Sequence, residues 1–325
     1  MAQGSRARRR RKWHASAHAS LCRLGFYLCL TGLFRPLQQG VRLKQQVLKS
    51  SPAQQVELVF VSLLVGAQAI VQTGTTRRVD PALQAAFGLA GCAAQAVLAD
   101  TLDAATEQDV ADLQRVVEAS FEQHSQARRH DRTRAVLVLD RDLSPVPASR
   151  QAEGSERCYL GRCRSKTGHK LVRVRASPSQ ETVWEELPPG RTVETLAVLQ
   201  QALAAAERRL DLEGDRPEAA ARRARVEWRL DSGGGRQARI AWRLARGYQV
   251  TGKFKSTARV TKLVGPITTG EPPASPGREL AAVPAPVALA RPGAQSAVRT
   301  PCTDKPSGYE HAVLFSSRTQ LGRQT

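Results

Sequence analysis

Over the first 130 or so residues, apolar positions recur at three- and four-residue steps, the period of helices with one buried face; from Ala135 onward the period shortens toward that of strands. Asp80-Pro81 reads as a helix start, with an aspartate able to cap free amides, a proline suited to the first turn, and Leu83, Phe87 and Leu89 following on one face. A second helical run extends from Cys92 to Gln123, where Val97, Leu98 and Leu102, then Val110, Leu113, Val117 and Phe121, keep the helical step. The glycines Gly88 and Gly91 place a turn between the two, and the arrangement reads either as a helix-turn-helix DNA reader or as an ordinary packed helical pair. Glu57 to Gln72, ELVFVSLLVGAQAIVQ, is the most apolar stretch, yet its uninterrupted length falls short of the roughly 18 residues a membrane span needs, so it reads as a core helix.

Past the polar hinge Gln123 to Arg134, the short run AVLVL (Ala135 to Leu139) has the continuous apolarity of a central strand covered on both faces. HKLVRVRA, His169 to Ala176, alternates Val172 and Val174 with Arg173 and Arg175, which suits a half-exposed strand with a basic outer face. Thr192 to Leu210 reads as an amphipathic helix capped by Thr192, with Leu196, Leu199, Leu203 and Leu210 facing inward. A β-α-β unit follows. Val226 to Leu230 is a strand ending at Asp231, glycines make a turn, a helix runs through Ile240 and Leu244, and Gly247 ends it before the strand YQVTG. The SGGG turn lacks the Lys-Ser/Thr of a P-loop and the G-x-G-x-x-G spacing, so its glycines are assigned to the sharp turn that displays Asp231.

Composition narrows the partners. The 325 residues suffice for two domains, and a formal charge of +20 favours a polyanion such as nucleic acid. The six basic residues between Arg6 and Lys12 leave +14 on the remainder, so the basic character belongs to the body of the chain; a solvated basic surface is the plain alternative. Cys22, Cys29, Cys92, Cys158, Cys163 and Cys302 show no disulfide rhythm and read as free thiols, and Cys158, Cys163 and His169 lack the spacing of a zinc site. The apolar part of Leu21 to Phe34 is broken by Arg23 and lacks a signal-cleavage site, so a cytoplasmic, nucleoid-associated protein is expected.

Two strands thus present an aspartate at the carboxyl end, Asp142 (or Asp140) and Asp231, the end of an α/β sheet where functional groups gather. Adjacent carboxylates repel unless a cation lies between them, and Mg2+ is the natural one; turn capping or arginine pairing is the alternative use.

VLVLDRDLSPVPAS, AEGSERCYLGR, TGHKLVRV and RLDSGGGRQARIAWRLARGYQVTGK, preceded by RRVDPALQAAFG and ADTLDAAT, resemble in content and order the DDE transposases of bacterial insertion sequences. The likeness runs with gaps from about Leu58 to Lys255 and resumes from Ala290 to Gly322. It implies an α/β fold with a ribonuclease H-like mixed sheet and helices, preceded by a helical N-terminal region. The implied division is a basic tail over 1–20, a helical and possibly DNA-binding region over 21–130, a catalytic core over 131–265, and a Pro-rich segment with partial strands over 266–325. It implies Asp142 and Asp231 as the first two metal-binding catalytic acids, Mg2+ as cofactor, insertion-sequence ends as partner, possible self-association and no membrane. Lys170, Arg173, Arg175, Lys253 and Lys255 would contact phosphates.

The third acid of that family, a glutamate on a helix beyond the strand HAVLF (His311 to Phe315), has no counterpart before Thr325, and the chain reads as truncated. Glu271, Glu279 and Glu310 are expected in loops or turns and do not replace it. Pro266 to Pro306 holds nine of the 18 prolines with little periodicity and is expected to lack order. The expected function is DNA binding by a transposase whose Mg-dependent cleavage and strand transfer are lost or weakened. The alternative is a non-catalytic, sequence-specific DNA-binding protein or an inhibitor of a full-length transposase.

Overall fold

The computed structural model describes residues 18–43, 50–77, 80–158, 166–193, 196–231, 233–255, 257–267, 270, 278–303 and 308–318. The chain divides into two compact units, Met1–His124 and Ser125–Thr325. Cys163 and Glu271 lie outside the described residues.

The first unit is helical: α1 (Ala19–Thr31), α2 (Arg35–Gly40), α3 (Pro52–Leu64), α4 (Ile70–Arg77), α5 (Pro81–Ala86), α6 (Gln95–Asp103) and α7 (Glu107–His124). Ser51 and Gln54 close a reciprocal capping box at the start of α3, and Asp80 accepts the Leu83 amide at 2.9 Å to start α5 as expected. Phe34, Leu58, Val61, Leu83, Phe87, Leu89 and Leu98 form its core. Gly25 lets α1 approach this core, since a Cβ there would stand 2.6 Å from the Phe87 ring. No helix among the described residues is long and apolar enough to cross a membrane. The single helical run expected from Cys92 to Gln123 is two helices instead. Thr106 and Asp109 bond each other's backbone amides and open a fresh N-terminus, rotating the buried face of α7 to Val116 while Val110 and Val117 are exposed.

The second unit is built on one sheet. Its elements are β1 (Leu137–Pro147), β2 (Glu156–Arg157), β3 (Thr167–Ala176), β4 (Glu181–Glu186), α8 (Leu196–Leu210), α9 (Pro217–Arg223), β5 (Val226–Leu230), α10 (Gln237–Ala245), β6 (Gln249–Lys253), α11 (Ala258–Val264), β7 (Glu279–Ala282), β8 (Ala294–Pro301) and β9 (Tyr309–Ser316). The nine strands form a mixed sheet in the order β2-β3-β1-β5-β6-β9-β8-β7, with β4 on β3. β1, β5 and β6 run parallel, whereas β3 and β4 continue an antiparallel meander on one side and β9, β8 and β7 another on the other. The expected α/β architecture, a mixed sheet with helices preceded by a helical region, is the one observed.

Only one face of the central strands is fully covered. Leu137, Leu139, Val172, Val174, Val226, Trp228 and Val250 are buried there, and α8 and α10 pack on the sheet. The opposite face carries half-buried Val138 and Asp140 and exposed Arg173, Arg175 and Arg229, which corrects the expectation that AVLVL is buried on both sides. β1 also outlasts its apolar run. It continues through Asp140 and Asp142 to Pro147 because β3 pairs with it along that length. α8 begins at Leu196, and Leu196 is exposed, whereas Leu199, Leu203 and Leu210 are buried as expected. The proline-rich stretch does not lack order throughout. β8 pairs with β9 over its full length, and Pro284, Pro286 and Pro292 lie in the connection before it, where they cost no ladder bond.

The glycine turn packs directly on β6. A Cβ at Gly235 would stand 1.8 Å from the Lys253 carbonyl oxygen, and the Gly235 carbonyl accepts the Lys255 amide at 3.0 Å. Gly235→Ala is therefore expected to destabilise the protein by about 1–3 kcal/mol, the usual cost of overpacking. Gly91→Ala, into open space, is expected to leave stability unchanged. Urea unfolding of both variants checks this.

Candidate functional site

The register between β1 and β5 builds the site. Leu137 pairs with Val226, Leu139 with Trp228, Asp140 with Arg229 and Arg141 with Leu230. The next residue on each strand is an aspartate, Asp142 on β1 and Asp231 after β5, so the two acids the sequence singled out stand at neighbouring positions on adjacent parallel strands. Both are exposed. On β3, Arg173 lies opposite Asp142 and pairs with Glu185 at 2.9 Å; on β6, Lys253 follows Gly252, the partner of Leu230. A row of charges thus crosses the sheet beside the glycine turn.

Asp140, the alternative candidate, is committed elsewhere. Its carboxylate takes two bonds from Arg229, at 2.5 and 2.6 Å, and one from the Ser177 hydroxyl at 2.7 Å. Burial pushes this carboxyl up, but the bonds from Arg229 and Ser177 and the charges of Arg229 and Arg175 outweigh it and hold it below the usual carboxylate range. Asp142 makes local bonds only, accepting the Leu143 amide at 2.8 Å and the Ser144 hydroxyl, and Asp231 accepts the Gly234 amide at 3.0 Å. Both aspartates thus also organise their own turns.

Behind the acid pair, on the helix-covered face, lie three buried arginines. Arg141 is pushed down to about 10 by burial and by the charge of Arg239, against the opposing pull of Asp231 and Asp142. Arg243 is fully buried, lies 5.6 Å from the Trp228 ring and is pushed down to about 9 by burial and the charges of Arg141 and Arg239. Arg239 bonds the Gly233 carbonyl at 2.7 Å and tethers the glycine turn to α10.

Asp142 is not at the carboxyl end of its strand as expected, since β1 runs on to Pro147 against β3. Beside the glycine turn opens a cavity of about 650 Å3, walled by Arg157, Lys170, Arg191, Arg236, Arg239 and Lys255, with Leu143 and Gly233, chain neighbours of the two aspartates, also in its wall. Lys170 and Lys255 were singled out in the sequence, and the structure brings them to this wall. Arg173 and Arg175 lie on the open sheet face instead, Arg173 held by Glu185 and Arg175 donating to the Gln180 carbonyl at 3.4 Å.

The described residues here do not make a divalent-metal site. Mg2+ prefers six oxygens in octahedral array, whereas the site offers two carboxylates among arginines. No group of three or more His, Cys, Asp or Glu residues suited to a metal occurs among the described residues. Glu279 and Glu310 lie on strands, not in loops as expected, with Glu279 paired to Arg299 at 3.0 Å.

No protein-family model and no curated protein matches the chain. Solved structures similar to it include the piggyBac transposase synaptic complex with hairpin DNA, at 11% identity and a TM-score of 0.46, covering 94% of this chain and 62% of that one. A pre-cleavage Mos1 transpososome is 14% identical with a TM-score of 0.24, covering 68% and 64%, and the Mos1 mariner paired-end complex with Mn is 14% identical with a TM-score of 0.24, covering 72% and 68%. The chain spans a little under two thirds of the length of the first two.

Arg157, Arg191, Arg236 and Arg239 escaped the sequence reading. Only Arg236 and Arg239 carried a signal, two arginines one helical turn apart straight after the glycine turn.

The commitment of Asp140 to Arg229 and Ser177 is testable by pH. A carboxyl whose folded pKa is lowered adds stability above its unfolded pKa of about 4, and that stability is lost as pH falls through the folded value. Asp140→Asn is expected to lower stability at about pH 7 and to flatten the loss below about pH 4. Urea midpoints of the wild type and this variant measured across pH decide it.

Proposed function

We propose that this chain is a DNA-binding protein of the DDE transposase type that holds insertion-sequence DNA through phosphate contacts and has lost, or greatly weakened, metal-dependent cleavage and strand transfer. The observation that carries the reading is the pair Asp142 and Asp231, each just past the last paired residue of the β1-β5 ladder, near a cavity walled by six cations. A carboxylate pair at that place in a β-α-β unit is where phosphodiester chemistry would be organised, and the arginines and lysines supply the counter-charge a phosphate backbone needs. The resemblance of the sequence motifs points the same way.

Loss of cleavage follows from the donor set. With two carboxylates, both already engaged in their own turns, a hard cation lacks the ligands that would fix it. The residues present do the rest. Lys170, Lys253, Lys255 and the arginines of the cavity neutralise phosphates, and the glycine turn, pinned by Arg239, keeps the wall in place. The same observation favours the second reading, in which the protein occupies DNA ends without cutting them and so blocks an intact transposase.

Binding is expected to weaken by about 10³-fold or more between roughly 50 and 200 mM salt, as for a protein that neutralises several phosphates. Asp142→Asn and Asp231→Asn are expected to bind DNA at least as tightly as the wild type, and supercoiled plasmid with Mg2+ is expected to stay intact. Anisotropy titrations and plasmid nicking measure both. Absent or salt-insensitive binding sinks the DNA reading, and nicking by the wild type that both variants abolish overturns the loss of cleavage.

A further inference from the structure

We propose that the cavity beside Asp142 and Asp231 is a metal-independent binding site for a dianionic phosphate group, of the kind carried by a 5′-phosphorylated DNA end or by free pyrophosphate. This deepens the DNA-binding reading and rests on it only for the first of those two sources.

The charge balance is the first argument. Arg157, Lys170, Arg191, Arg236, Arg239 and Lys255 share a space of about 650 Å3, and no carboxylate is among its described lining residues. Glu156, which accepts the Arg191 amide at 2.9 Å, is an acid close to this rim and offsets one of these six charges. Like charges gathered around one cavity repel, and an anion with two charges and several acceptor oxygens relieves that repulsion in a way a neutral ligand does not.

The second argument is that the wall is built. Arg239 is 6% exposed and fixed by its bond to the Gly233 carbonyl, while the Lys255 amide is tied to the Gly235 carbonyl at 3.0 Å. Under it, Arg243 is 0% exposed, and among the described residues its Nε and one Nη have no hydrogen-bond partner, while its other Nη reaches the Arg239 carbonyl at 3.4 Å. A buried guanidinium with unmet donors is costly by itself, and its charge, which acts on Arg239, adds positive potential behind this wall. The third argument is the choice of ligand. Forked guanidinium groups match the oxygens of phosphate, and the room available exceeds one phosphate group, so an attached sugar or second phosphate is accommodated. Asp142 and Asp231 are not among the residues lining the cavity, which meets them only through their chain neighbours Leu143 and Gly233.

The test uses the full-length protein in EDTA, so that no metal contributes. Anisotropy compares one DNA duplex with a single-stranded 5′ overhang in two forms, ending in phosphate or in hydroxyl, and thermal unfolding is followed with and without pyrophosphate. The 5′-phosphate is expected to tighten binding about tenfold or more, the factor that one charge-assisted hydrogen bond supplies. Pyrophosphate is expected to raise the unfolding temperature. The double variant Arg236→Gln, Lys255→Gln should lose both effects with unfolding otherwise unchanged. Arg236→Lys, Lys255→Arg should keep them, and Arg134→Gln, at an exposed arginine paired with Asp131, should alter neither. A phosphate effect on the strand alone, or with pyrophosphate alone, supports the site and names its source. Equal affinity for the two overhangs without a pyrophosphate shift overturns it, as does an undiminished response in the Arg236→Gln, Lys255→Gln variant. Duplex binding indifferent to the 5′ end, with no pyrophosphate shift, would leave the DNA-binding reading standing while this site falls, and a pyrophosphate shift without duplex binding would do the reverse.

Discussion

The parallel pairing of β1 with β5 constrains everything else in the second unit. Two cross-strand pairs pin it on opposite faces, Leu139 with Trp228 in the core and Asp140 with Arg229 in the open. A slip of one residue by either strand would turn its charged residue, Asp140 or Arg229, under the helices and expose its apolar one, Leu139 or Trp228, so burial and ion pairing enforce the same register. Once it is set, Asp142 and Asp231 meet without any further device, and Arg141 and Leu230 are carried inward beneath them. The acid pair and the buried cations behind it are two sides of one alignment.

Much of this was legible where local chemistry and long-range packing agree. Asp80 caps its helix, β3 alternates valine inward and arginine outward, and the β-α-β unit runs from Val226 to Lys253 much as its apolar positions dictate. The far half of β1 was not legible, because Leu143 to Pro147 contains two prolines and reads as loop. There β1 pairs with β3 but has left β5, and a strand with one unpaired side tolerates residues that lack an amide hydrogen. β7 and β8 were hidden for a related reason, since their order comes from the ladder that β8 forms with β9 and carries no periodic signature. Within the site, the aspartates stood out because acids are few on a basic chain. The cavity arginines did not, being scattered among many others and gathered only by the fold.

The arginines fall into two populations with different physical work. Those on the open face are solvated or paired singly with an acid, where each contributes little stability. Those inside act as packing elements. Arg223 donates to the carbonyls of Leu212, Gly214 and Arg246, and Arg243 lies against Trp228. Nearby, buried Glu207 receives the Tyr248 hydroxyl at 2.7 Å and Arg246 at 2.8 Å, and burial and Glu207 keep the Tyr248 phenol protonated far above its usual range. A basic composition here serves the core as well as any polyanion outside it.

The place of β9 in the sheet has a consequence for assembly of the fold. The last of the described strands is inserted between β6 and β8, so the flank of β6 has no strand partner until that late segment arrives. During synthesis the β1-β5-β6 portion can form first, leaving an open edge able to pair with another nascent chain. Pairing of that edge with β9 closes the β6 flank, so the late strand completes the sheet and removes the edge at once.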